Sequence, residues 1–218
     1  ETDRAEVLSA CGLPDEAAAA LERAARSFAL RRMRQSQGEA EFVRARILLD
    51  RDPETARRLA LKAARLFKSW GSTDWALRAE VVAVAAEVAL RRRTALSTAT
   101  ELHQRVARRA IRVETKALCL HAATASLDQG DQLAAASWLR RSRVGDEESL
   151  DLRLLHRLTR ARLAARQGRR ALAFTHLGAG LDELHEWLST YGSLDLQSAL
   201  VGRGRGLAAL GLELAIAD

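Results

Sequence analysis

The segment Ala123-Thr-Ala-Ser-Leu-Asp-Gln-Gly130-Asp-Gln-Leu-Ala-Ala135 carries a turn signature that recurs along the chain. One alanine stands seven residues before the glycine and another five residues after it. A glycine takes left-handed backbone angles without a Cβ clash, so it suits a tight turn between two helices. Small residues on either side let those helices cross closely. Working outward, the same spacing joins Ala5, Gly12 and Ala17, and again Ala161, Gly168 and Ala173. Arg51 stands in the glycine's place in a further copy, followed by Ala56. Positions 12 and 51 are 39 residues apart, 130 and 168 are 38 apart, and 51 to 130 is about twice that. Such a period belongs to arrays of stacked helix pairs.

The segments between these turns have helical periodicity. Pro14 opens a helix with Ala17, Leu21, Ala24, Ala25 and Phe28 on one stripe, after a short helix over 3–11. A helix is expected over 39–49, and Asp52 caps another that starts at Pro53 and buries Ala56, Leu59, Ala60, Ala63 and Phe67. Gly71 ends it, and further helices are predicted over 74–92, 96–111 and 114–127. Gly130 leads into a short helix holding Leu133, Ala136, Trp138 and Leu139, and helices resume over 150–166, 169–188 and 193–216. Helix-favouring Ala, Leu, Arg and Glu dominate, aromatics are 4%, and the only prolines are Pro14 and Pro53, so strands are not expected.

Gly12-Leu-Pro-Asp-Glu-Ala17 and Gly130-Asp-Gln-Leu-Ala-Ala135 resemble the turn and second helix of tetratricopeptide repeats. The resemblance implies an all-α fold, a right-handed α-solenoid of tetratricopeptide-like helix hairpins. About five pairs would form one domain over 1–218, with the polar stretch 144–149 as its weak point. Leu150-Asp-Leu-Arg-Leu-Leu-His-Arg-Leu158, Glu186-Trp187 and Tyr191-Gly-Ser-Leu-Asp-Leu-Gln-Ser-Ala199 are similar to the repeat region of bacterial CHAT-domain proteins. In that family helical repeats precede a caspase-like cysteine protease. The resemblance therefore implies a regulatory region that recognises a trigger or substrate and governs such a protease. The chain starts at Glu1 and ends at Asp218 in a helical pattern, which reads as the non-catalytic part of a longer protein.

Of the 35 cations only Lys62, Lys68 and Lys116 are lysines, and the formal charge is +7. Preference for Arg fits a high-GC bacterial genome, and with 28 acidic residues interspersed it reads as a salt-bridged surface. The first helix of each pair normally lines the docking face, which nominates Arg44, Arg46, Arg78, Arg153, Arg157 and Arg160 for partner binding. Guanidinium groups there would hold an acidic or carboxylate-bearing protein or peptide by forked hydrogen bonds. An arginine-rich nucleic-acid surface is the alternative, although aromatics are not interleaved with the arginine clusters. The apolar helix 207–217 is expected to pack against a continuation of the chain, a second copy of itself in a homodimer, or both.

Chemical motifs are sparse. His185-Glu186 opens like a zinc-protease helix, but Ser189 stands where the second histidine belongs. Gly202-Arg-Gly-Arg-Gly206 has no preceding strand and no Lys-Ser/Thr ending, so it is not a phosphate-binding loop; its glycines are expected to be tolerated in a loose terminal helix. Cys119 and His121 are two apart on a helix and point away from each other. No cofactor, metal site or catalytic residue is expected. Cys11 and Cys119 read as buried free thiols of a reducing, cytoplasmic compartment, and no apolar run is long enough to span a bilayer.

Overall fold

The computed structural model describes residues 4–5, 7–8, 11–192, 197 and 200–216. These form ten α-helices and one 3-10 turn, with no strand among the described residues. The helices are α1 (Pro14–Leu30), α2 (Arg34–Leu48), α3 (Pro53–Ser69), α4 (Thr73–Ala89), α5 (Ala95–Arg108), α6 (Arg112–Asp128), α7 (Gln132–Ser142), α8 (Leu150–Arg166), α9 (Arg170–Ser189) and α10 (Arg205–Ile216). The 3-10 turn Val201–Gly204 leads directly into α10. Residues 4–5 and 7–8 are helical and Cys11 lies in a turn, while the other residues of the predicted helix over 3–11 and the predicted helix start at 193–196 lie outside the described residues.

The repeat is plain in the helix starts. Helices α2, α4, α6 and α8 begin at residues 34, 73, 112 and 150, which are 39, 39 and 38 apart. Gly12, Gly71, Gly130 and Gly168 all have φ between 70° and 83°, as the turn signature requires. Non-glycine residues take the same left-handed region at Arg32, Arg91, Ala110 and Arg143. Arg91, with φ 51°, supplies the turn missing midway between Arg51 and Gly130. Because Arg32 makes its turn without a glycine, α2 starts at Arg34, five residues before its expected start.

Local chemistry explains the helix starts. Pro14 and Pro53 sit at N1, where the missing N–H has no helical partner to lose. Asp52 accepts a hydrogen bond from the Thr55 amide at 3.0 Å, and Asp131 accepts one from the Ala134 amide at 2.8 Å. That bond is also the leading reason the Asp52 carboxyl is held below its ordinary range.

The chain forms two compact units, residues 1–118 and 119–218, and the boundary falls within α6. In the first unit each helix from α1 to α5 packs on its neighbour in the chain. Its core joins Ala17, Leu21, Ala25 and Ala40 at one end. A second cluster centres on Phe42, Ala63, Phe67 and Ala76. In the second unit α7 packs on α8, α8 on α9, and α10 on both α8 and α9 around Leu154, Leu177, Leu184 and Leu207. The alanines of the turn signature, Ala5, Ala17, Ala56, Ala123, Ala135, Ala161 and Ala173, are all fully buried. A methyl group is thus the largest side chain each crossing admits without strain.

Some large side chains stay at the surface: Leu133 is 85% exposed and Trp70 is 60% exposed. Trp75 is partly exposed, with its ring centroid 5.9 Å from those of Phe42 and Phe67. Cys11 lies exposed in a turn, whereas Cys119 is buried, and both thiols are free. Among the described residues no helix is long and apolar enough to cross a membrane.

Candidate binding groove

In the first unit three helices enclose a polar groove of about 460 Å³. Its side chains come from three helical stripes at i, i+3/i+4 and i+7 spacing. Helix α2 contributes Gln37, Glu41 and Arg44; α1 contributes Glu22, Ala25, Arg26 and Ala29; and α3 contributes Arg58, Leu59, Lys62 and Arg65. Its volume lies in the range of sites that hold a small ligand or a few residues of peptide.

Charges within the groove are unequal. Five cations, Arg26, Arg44, Arg58, Lys62 and Arg65, face the carboxylates of Glu22 and Glu41. Glu22 is shared, accepting from Arg26 through Oε1 and from Arg44 through Oε2. The Arg26 hydrogen bond chiefly lowers its pKa, burial opposing and the Arg44 charge assisting. Glu41 is the buried member, with only 4% of its side chain exposed, and its Oε1 accepts from Lys62. Its Oε2 has no partner among the described residues, and neither has Nε of Arg44. A buried polar group left unpaired costs about 1–3 kcal/mol, and both atoms lie out of reach of solvent.

The stripe Arg58, Lys62 and Arg65 was not among the sequence-nominated residues. Its signal was present in the spacing, but the pair Arg57-Arg58 hides it. Arg57 turns away and donates to Glu87 at 2.8 Å, while Arg58 turns into the groove. Arg58 makes a long 3.5 Å contact with the Thr55 hydroxyl and its charge also acts on Asp52, and Arg65 is exposed.

Of the six nominated arginines, Arg44, Arg46 and Arg78 belong to the first unit and Arg153, Arg157 and Arg160 to the second. Of them only Arg44 lines the groove. Arg46 stacks over the Phe42 ring at 5.9 Å and Arg78 over Trp75 at 4.8 Å. Arg78 Nε also lies 3.2 Å from Glu114, an ion pair without hydrogen-bond alignment. In the second unit Arg153 and Arg157 both grip Glu183, at 3.1 Å and 2.6 Å. Arg153 additionally donates to the carbonyls of Asp146 and Glu148, tying the 144–149 connection to α8. Arg160 is exposed and faces His156 and His176.

These contacts belong to a wider set of interhelix ion pairs. Asp15 with Arg51 at 2.7 Å and Glu54 with Arg92 at 2.6 Å are equivalent bridges one repeat apart. Glu80 joins Lys68 to Arg105, and Asp74 meets Arg109. Exposed pairs of this kind contribute little each, about 0–1 kcal/mol, but they set which helix faces which.

The remaining reactive side chains are quiet. Burial pushes the Cys119 thiol up to about 11 against a small opposing effect of Arg141, which keeps it protonated at neutral pH. Desolvation by burial pulls His121 down to about 4. Among the described residues no group of three or more His, Cys, Asp or Glu is placed to hold a metal ion. Comparison with protein-family models, curated proteins and solved structures returns no match for this chain.

Proposed function

We propose that this chain is a non-catalytic protein-interaction scaffold whose α1–α3 groove receives an acidic segment of a protein partner. The observation that carries this reading is the surplus of groove cations over carboxylates, with Arg58 and Arg65 making no ion pair among the described residues. Four of the six nominated arginines, Arg44, Arg78, Arg153 and Arg157, are paired with Glu22, Glu114 or Glu183, which favours the α3 stripe as the binding charge. Charge-assisted hydrogen bonds from such a stripe are stronger than neutral ones and select for carboxylates. The resemblance to CHAT-protein repeats supports a regulatory role in a cytoplasmic assembly, with the partner's acidic segment as the signal that a caspase-like protease reads.

Fluorescence anisotropy with the full chain tests this. A short glutamate-rich peptide is titrated beside its lysine-rich counterpart and a single-stranded RNA, at about 50 and 200 mM salt. The acidic peptide alone binds well at both salts, and the double substitution Arg58→Ala, Arg65→Ala weakens it about tenfold or more. RNA binding that falls steeply with salt, with no acidic-peptide binding, overturns the proposal in favour of a nucleic-acid module.

A further inference from the structure

Two turns of the first unit put apolar and basic side chains at the same end. Helices α1 and α2 are joined by residues 31–33, and α3 and α4 by residues 70–72. Connections this short return each helix antiparallel to the one before it, so both turns lie at one end of the unit. A Cβ on Gly38, early in α2, would stand 3.2 Å from Phe67 near the end of α3, which sets the two turns side by side. The first turn exposes Leu30 (87%) and Met33 (44%) among Arg31, Arg32 and Arg34, all exposed, and the second exposes Trp70. From Arg23 to Gly38 the chain has no Asp or Glu, so no neighbour in sequence neutralises these arginines. The opposite end differs: the connection between α2 and α3 carries Asp50 and Asp52, and its Leu49 is partly covered.

We infer that this end of the first unit docks on the surface of an anionic lipid bilayer. Leu30 and Met33 enter the headgroup boundary, Trp70 lies along it, and Arg31, Arg32 and Arg34 meet the negative headgroups. Apolar side chains flanked by arginines suit such a surface, because burial in the interface and attraction to its charge add together. Tryptophan suits it too, since the ring is apolar while its N–H stays within reach of water. Nucleic acid would use the arginines but leave Leu30 and Met33 wet, because neither offers a face on which a base can stack. A folded protein partner would need the two turns shaped into one patch, whereas a fluid bilayer accepts separate tips. The contact is peripheral, in keeping with the lack of a helix able to cross a membrane among the described residues. None of these six residues lines the α1–α3 groove, so lipid binding does not depend on what the groove holds.

Co-sedimentation of the full chain with vesicles tests this. One set is pure phosphatidylcholine, and the other carries about 30% phosphatidylserine. The chain is expected to partition onto the anionic set about tenfold more strongly or better. The double substitution Leu30→Ser, Met33→Ser leaves every charge in place and is expected to lower that partitioning about tenfold. Arg31→Gln, Arg32→Gln is expected to lower it by about the same factor. Leu133→Ser is the control: Leu133 is 85% exposed on α7, away from both turns in sequence, and its loss is expected to change partitioning by less than about twofold. In the unaltered chain, tryptophan emission is expected to shift to the blue on anionic vesicles, and Trp70→Phe to remove most of that shift. No binding to anionic vesicles overturns the inference. So does binding that Leu30→Ser, Met33→Ser leaves intact, because the arginines then adsorb by charge alone, and so does an equal loss in Leu133→Ser. Retention of single-stranded RNA without vesicle binding overturns it in favour of a nucleic-acid surface.

Discussion

His156 lies between α8 and α9 with Arg157 and Arg160 on its own helix and His176 and Glu183 opposite. Burial first, then the Arg160 and Arg157 charges, pull its imidazole down to about 4 from an ordinary 6.5, and Glu183 only partly opposes them. His176 shifts the same way, again through burial first. The folded chain therefore binds fewer protons than the unfolded chain between pH 6.5 and about 4. Stability from these rings is fully present above pH 6.5 and drains away as pH falls toward 4. Urea midpoints measured from pH 7.5 down to 4.5 are expected to fall over this window, and His156→Phe is expected to flatten the fall. A midpoint that stays level to pH 4.5 contradicts the assignment. The thiols give a second contrast at this scale. Cys119 is buried with its pKa raised to about 11, whereas Cys11 is exposed. Iodoacetamide at neutral pH is expected to modify Cys11 in the native chain and Cys119 only after unfolding, as mass spectrometry of the digested peptides will show.

At the scale of elements the glycines around the start of α10 divide by what surrounds them. A Cβ on Gly204 would come within 2.7 Å of Leu184, and one on Gly206 within 3.0 Å of Leu158. A Cβ on Gly202 would meet nothing within 4 Å. Two of the three are thus close-approach points for α9 and α8, not tolerated passengers in a loose helix. Gly180 on α9 does the same from the other side, its Cβ position lying 2.8 Å from Leu207. Gly204→Leu is expected to destabilise the second unit by about 1–3 kcal/mol through overpacking. Gly202→Leu is expected to stay within about 0.5 kcal/mol, as surface changes usually do. Chemical denaturation of both variants checks the pair, and equal losses at both sites would contradict this account. The periodic turns obey a similar logic. Arg91 and Ala110 hold left-handed angles that suit glycine better, because flanking helices anchored by buried alanines and leucines leave the chain no other path.

For the molecule as a whole, stability is the sum of neighbour contacts, so the least covered element sets where opening starts. In the second unit α10 buries Leu207 but leaves Leu212 63% exposed and Ile216 80% exposed. Amides of 205–216 are therefore expected to exchange with deuterium well before those of α8 and α9. Peptide-level exchange measured over seconds to hours reads this directly, and equal protection in all three helices would mean that α10 has a partner in solution. In the first unit the charges that face other helices are largely spoken for. Glu87 is buried against Arg57, Glu80 is divided between Lys68 and Arg105, and Glu114 pairs with Arg78. Within the groove five cations face two carboxylates, a local surplus of three positive charges.

Small-residue spacing around Gly12, Gly130 and Gly168 was enough to predict an all-helical array with a period of about 39 residues, because backbone conformation and crossing distance are local demands that a glycine or an alanine answers on its own. Turns at Arg32, Arg91 and Ala110 carry no such mark and are imposed by the helices they join. The groove lay further from view. Spacing puts Arg58, Lys62 and Arg65 on one face of α3, yet nothing local tells Arg57 to turn to Glu87 and Arg58 to stay open. Which arginine meets a carboxylate depends on the helix packed beside it, 20 to 40 residues away in sequence. Charge pairing is a property of neighbours in space, so only the tertiary structure separates the cations that hold the scaffold together from those left to bind.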